Sequence, residues 1–231
     1  MKYIVIFLFP YLLLAQSSFE KAQMLFDNQK YEQAQSVYEA LLKTNPNNLK
    51  IIERLGDIAG GQKDWDKALM YYSKLRDLKA SVANYHYKYG GALGMKALGV
   101  NKFKALGMIS DIKKSFEKAI ELDEKHIEAR WALVELYLRL PSFVGGSEAK
   151  ALKYSNELLM ISPVDGYLSR GRVEEYFERY KTAEVYYKKA ISEGGSKIAY
   201  QKLANLYKNK MENPEKAKLI LEEYENKKSV N

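Results

Sequence analysis

The chain has 231 residues, 47% of them hydrophobic, with 37 basic and 29 acidic side chains and no cysteine. That much apolar material excludes a disordered chain, and the missing thiols exclude disulfides, a catalytic cysteine, cysteine-ligated zinc and a lipidated N-terminal cysteine. Five prolines, long runs rich in Ala, Leu, Glu, Lys and Tyr, and no sustained alternating stretch favour helices over strands.

Residues 1–17 read as a secretory signal peptide. Lys2 precedes an apolar run from Tyr3 to Leu14, and Ala15-Gln16-Ser17-Ser18 supplies a small, polar exit. The run is shorter than the ~20 residues of a membrane-spanning helix, and a short anchor or a buried first helix are the alternatives. Cleavage after Ala15 or after Ser17 is open, the second fitting better because it places Ala15 three positions back. The expectation is an exported protein, periplasmic or secreted. Losing Lys2 takes the net charge from +8 to +7 (8 − 1 = 7), and the remaining charges are interspersed, as in Lys113-Lys114-Ser115-Phe116-Glu117-Lys118 on a solvated helix face.

Apolar residues then recur at helical spacing. Phe19, Ala22, Leu25 and Phe26 predict one helix, Tyr31, Ala34, Tyr38 and Leu41 a second, ending at Asn45-Pro46-Asn47-Asn48. Ile52, Leu55-Gly56 and Ala59 begin the next pair, with Gly56 read as a close helix approach. Its second helix carries Trp65, Ala68, Tyr72 and Leu75 on one face. Ala34 to Ala68 is 34 residues. A third pair starts near Asn84 and continues with a second helix from Ser110 to Asp123. Ala68 to Ile112 is 44 residues, which places about ten extra residues between Gly94 and Gly107. The fourth pair holds Leu133, Val134 and Tyr137, then Pro141 to Ser147 as an inserted loop with Ser147 as a helix cap, then Ala151, Ser155 and Leu158 up to Ser162-Pro163.

These residues resemble the tetratricopeptide repeat, a helix–turn–helix unit of about 34 residues. Leu55-Gly56, Trp65, Ala68, Tyr72 and Pro46 carry the likeness first. Tyr167, Gly171, Tyr180, Ala183, Tyr187 and Ala190 repeat it, as do Tyr200, Leu203-Ala204, Tyr207, Ala217, Leu221 and Tyr224. The chain is therefore expected to be all-α, an α-solenoid of about six helix–turn–helix repeats, of an exported bacterial type, in one elongated domain over residues 18–226. The units fall at about 18–46, 47–80, 81–124, 125–163, 164–195 and 196–226. Fraying is expected after Tyr224, and residues 227–231 form a tail.

The resemblance implies a right-handed superhelix whose first helices line a concave groove for a peptide or partner helix. Transferred position by position, the groove candidates are Glu53 and Asp57, then Trp131, Glu135 and Arg139, then Arg172, Glu175 and Tyr176, then Gln201, Asn205 and Lys208. Family members that grip a C-terminal carboxylate use Lys and Asn where this chain has Phe19, Gln23, Glu53 and Asp57, which disfavours that ligand.

No cofactor, metal or catalytic site is expected. His86 and His126 are the only histidines and have no partner at ligand spacing. Gly90-Gly91-Ala92-Leu93-Gly94 follows a helical pattern and lacks Gly-Lys-Ser/Thr, and there is no Gly-x-Ser-x-Gly elbow. Many of the 19 tyrosines, Tyr31, Tyr38, Tyr72, Tyr180 and Tyr187 among them, fall at repeat core positions. The functional expectation is a non-catalytic scaffold that binds a protein or peptide partner and helps assemble an envelope complex. The alternative is binding to an anionic membrane or nucleic acid through the basic surface and the 95–108 insert, where Lys96, Lys102 and Lys104 interleave with Leu98, Phe103 and Leu106; the plain reading of the insert is that it extends the third pair's helices and packs beside the inserted loop of the fourth. Of the two ligands, nucleic acid is disfavoured, peripheral membrane contact is left open, and so is the oligomeric state.

Overall fold

A computed structural model describes residues 9–230, with side chains from Ser18 to Lys228. The signal-peptide expectation falls largely elsewhere: residues 1–8 lie outside the described residues, and 9–17 contribute only backbone to the first helix.

Among the described residues there are twelve α-helices, one 3-10 turn and no strand. They form six antiparallel pairs. In the N-terminal compact unit, which ends at Leu122, α1 (Phe9–Asp27) pairs with α2 (Tyr31–Thr44), α3 (Leu49–Gly61) with α4 (Trp65–Leu78), and α5 (Ala83–Leu98) with α6 (Lys102–Leu122). The C-terminal unit begins at Asp123. There α7 (Ile127–Arg139) pairs with α8 (Glu148–Ile161), α9 (Pro163–Tyr176) with α10 (Tyr180–Gly194), and α11 (Lys197–Asn209) with α12 (Pro214–Val230). The all-α repeat fold expected from the spacing is what the chain adopts. Each pair buries its apolar stripe on its neighbours, so the core runs along a unit in clusters instead of gathering at one centre. Ala22, Ala34, Tyr38, Ile51 and Leu55 make one such cluster; Ile52, Ala68, Tyr72, Leu75 and Tyr85 make the next.

Local chemistry sets the helix ends. Asn48, Asp64, Ser147 and Ser196 accept backbone N–H bonds at helix starts, and Ser162 ends α8 and caps α9, with Pro163 as the first residue of α9. Four of the six turns within pairs share one device. Gln29, Lys63, Glu178 and Glu212 sit in left-handed backbone at φ 59°, 62°, 59° and 52°, each at a cost of about 1 kcal/mol for a residue with a Cβ. The two pairs lacking it are those with insertions.

Two expectations are corrected. The ten extra residues of the third pair are helix: α5 runs on to Leu98 and α6 begins at Lys102, not Ser110, leaving only Gly99-Val100-Asn101 as turn. Gly94 and Gly107 resemble breaks in sequence, but a helical glycine costs only about 1 kcal/mol against alanine, and Asn101 caps α6 by accepting the Lys104 N–H at 3.0 Å. Helix α12 also continues past Tyr224, where Lys227 pairs with Glu223 at 2.8 Å and bonds the Tyr200 hydroxyl.

Gly56 does what its spacing suggests. A Cβ there would lie 2.5 Å from the Tyr72 ring, and one at Gly171 would lie 2.4 Å from Tyr187. Gly91 faces open space, with no atom within 4 Å of an added Cβ. Gly56→Ala and Gly171→Ala should each lower stability by about 1–3 kcal/mol in urea titrations, whereas Gly91→Ala should raise it by up to about 1 kcal/mol. A neutral Gly56→Ala would mean the tyrosine ring is free to move aside.

Candidate functional site

Within the N-terminal unit, the first helices α1, α3 and α5 are joined by a layer of polar side chains. Gln23 accepts from the Tyr38 hydroxyl at 3.2 Å and from Arg54 Nε at 2.9 Å. Arg54 lies over the Phe26 ring and reaches Asp57 at 3.4 Å. Asp57 also accepts from the Tyr72 hydroxyl at 2.9 Å and from Lys88 at 2.6 Å, while Lys88 reaches Glu53 at 2.7 Å. Burial, then the charge and hydrogen bond of Asp57, push the Tyr72 hydroxyl well above its ordinary value, so it stays a donor. Glu53 and Asp57 are thus balanced by Arg54 and Lys88. Their charge does not by itself turn a carboxylate away, because those cations share the same face.

The C-terminal unit has a matching layer. Glu135 on α7 accepts from Arg172 on α9 at 2.7 and 3.3 Å and from Arg139 at 3.0 Å. Burial pushes the Glu135 carboxyl up, but the hydrogen bonds and charges of Arg172 and Arg139 outweigh it and hold the group below the usual carboxylate range. Glu175 accepts from the buried Tyr187 at 2.7 Å. Trp131 is half-buried against the core around Leu168, and its indole N–H donates to Asp165 at 2.8 Å. Asp165 in turn accepts the Ser162 hydroxyl at the start of α9, so Trp131 ties two repeats together.

The expected groove residues therefore separate into two sets. Glu53, Asp57, Trp131, Glu135, Arg172 and Glu175 are half-buried members of these internal contacts. Tyr176, Arg139, Gln201, Asn205 and Lys208 are exposed, on helices that adjoin, since α9 touches both α7 and α11. The partners Lys88, Arg54 and Asp165 do not stand out in the sequence. The available signal is spacing: Trp131 and Asp165 are 34 residues apart, and Lys88 and Asp57 are 31 apart, about one repeat.

Elsewhere, His86 is buried with Nε2 2.8 Å from the Ala80 carbonyl, and His126 Nδ1 accepts the Ala129 N–H at the start of α7. Among the described residues no three His, Cys, Asp or Glu gather as a metal site, and no helix is long and apolar enough to cross a membrane. A hollow of about 560 Å³ in the N-terminal unit is lined by Arg76, His86 and Lys114 but also by Asp111, Glu117 and Glu121. Its charges oppose one another and select no ligand sign. The turn end of α5–α6 is different in kind: Met95, Leu98, Phe103 and Leu106 are all exposed there.

Residues 15–48 match the family model of the tetratricopeptide repeat. The fold is similar to a thermophilic tetratricopeptide-repeat protein of Thermus thermophilus, with a TM-score of 0.67 over 83% of this chain and 98% of that one at 14% identity. It is also similar to PilW, a type IV pilus biogenesis factor, with a TM-score of 0.65 over 94% and 93% of the two chains at 19% identity. At these identities the likeness is one of fold. A stretch of 105 residues is 28% identical to the RNA polymerase-associated protein CTR9 of Caenorhabditis elegans, covering 45% of this chain but spanning only 8% of that relative's length. One repeat is matched by sequence, and over most of the chain the helical array has the tetratricopeptide-repeat fold.

Proposed function

We propose that the chain is an exported, non-catalytic scaffold that binds an extended or helical segment of another protein across its first helices and assists assembly of an envelope complex. The observation that carries this reading is the exposed set on α9 and α11. Tyr176, Gln201, Asn205 and Lys208 are exposed on the helices of a layer whose own charges, Arg139 with Glu135 among them, are already paired. Aromatic side chains held on a rigid layer bind at low entropic cost. Lys208 favours a segment that carries an acidic residue beside an apolar one. The leader layout of residues 1–17 supports export. The fold shared with PilW supports an envelope role by analogy.

N-terminal sequencing of the protein from its native cells should begin at Gln16 or Ser18; an intact Met1 in a cytoplasmic fraction would overturn the export reading. Affinity capture from the native envelope, read by mass spectrometry, should recover a partner that Tyr176→Ala with Lys208→Ala weakens by about tenfold or more at unchanged melting temperature. Undiminished capture by that variant would remove these helices as the docking face.

The paired layer should behave oppositely. Glu135 is held below its unfolded value, so its stabilisation is complete above about 4.5 and disappears as pH falls through the depressed folded value. Glu135→Gln should cost about 1–2 kcal/mol at neutral pH, and urea midpoints of variant and parent should converge in acid. A difference that persists at low pH would show that the loss is one of packing.

A further inference from the structure

We propose that the turn end of the α5–α6 hairpin is a finger that docks on an anionic phospholipid surface, setting its apolar side chains at the boundary between headgroups and acyl chains. The proposal concerns a different part of the protein from the groove and stands or falls apart from it.

Three observations converge on this end. The first is reach. Helix α5 has 16 residues against 13 in α3, and α6 has 21 against 14 in α4, so the hairpin is longer by 3 and 7 residues (16 − 13; 21 − 14). At 1.5 Å per residue this is roughly 5 to 10 Å of extra helix, about the depth to which interfacial helices bury their apolar face. The second is what the extension displays. Phe103 is 89% exposed and Leu98 67%, with Met95 and Leu106 also open. These side chains flank a three-residue turn, Gly99-Val100-Asn101.

The third is charge. No Asp or Glu occurs from Leu78 to Ser110, a stretch of 33 residues (110 − 78 + 1) that holds four lysines besides Lys79. Lys88 is taken by Glu53 and Asp57, and Lys96 by Asp66 from α4. Lys102 and Lys104 are exposed beside Phe103 and make no ion pair among the described residues. Two free ammonium groups flanking a bare apolar tip match anionic headgroups above hydrocarbon. A nucleic acid fits less well, since the tip offers one aromatic ring for stacking and no arginine fork. A peptide would need a concave seat, and this end protrudes.

Because the chain lacks cysteine, one introduced thiol carries a fluorophore uniquely. Gly107→Cys is suited to this, as an added Cβ there meets nothing within 4 Å; exposed Glu193→Cys in α10 of the C-terminal unit serves as the control. The local probe matters because the apolar run 3–14 of the full chain can itself meet lipid. With the full-length protein at low salt, phosphatidylglycerol vesicles should shift the position-107 emission to the blue and leave the position-193 probe unchanged. Phosphatidylcholine vesicles should do neither. Phe103→Ser with Leu106→Ser should abolish the shift without altering the melting temperature. Lys102→Glu with Lys104→Glu, or raised salt, should weaken partitioning about tenfold or more. The proposal is overturned by no shift at position 107, by an equal response to phosphatidylcholine, or by equal shifts at both probes. It is likewise overturned if single-stranded RNA, and not vesicles, moves the position-107 probe.

Discussion

The fold depends on one recurring contact, a second-helix side chain seated against a small residue of the first helix. Tyr72 lies on Gly56, Phe116 on Gly90 and Tyr187 on Gly171, each so close that a Cβ on the glycine would fall within 3.0 Å. Tyr38 shares its cluster with Ala22 in the same role. The ring fills the space between two helices that would otherwise be too near for any large pair, and this sets the spacing within those four pairs. The fourth pair inverts the sizes. Val134 takes the small residue's place and Ser155 the ring's; Ser155 is fully buried and is satisfied by Ser169 of α9 at 2.7 Å.

The same rings connect the core to the candidate interaction face. Tyr38, Tyr72 and Tyr187 thread between helices and deliver their hydroxyls to Gln23, Asp57 and Glu175 on the first helices. A carboxylate on that face is therefore positioned by a residue whose ring is buried in the core. Phe116 has no hydroxyl to offer, and in that pair the first-helix Lys88 turns instead to Asp57 and Glu53 of the preceding one. Order in the face thus follows from order in the core, and the half-buried charges are positioned before any partner arrives.

Much of the fold is legible in the sequence because spacing reports packing directly. Ala68, Tyr72 and Leu75 fall on one helical face in sequence and are buried together, and Ser147 caps α8 as its position before the helix implies. The insert is harder to place because Gly94 and Gly107 look like breaks, whereas neither adopts a backbone that an alanine would refuse. The left-handed turn residues are hidden for the opposite reason: Gln, Lys and Glu stand where glycine would have announced the turn. The face is legible as a set of positions but not as a set of roles. Glu135 and Tyr176 come from the same transferred pattern, yet one is locked between two arginines and the other is open. That difference depends on partners about a repeat away, which periodicity within one helix does not reveal.

This division constrains where specificity can reside. A paired, half-buried charge offers a ligand little, since engaging it breaks existing bonds and leaves a cation or carboxylate unpartnered. Selection among partners then falls to side chains free of such contacts, which in the C-terminal unit are Tyr176, Gln201 and Lys208. In the N-terminal unit the exposed apolar residues of the α5–α6 turn lie outside the repeat pattern altogether. The repeated residues build and stiffen the array, and the side chains left uncommitted by those contacts are where its particular activity must lie.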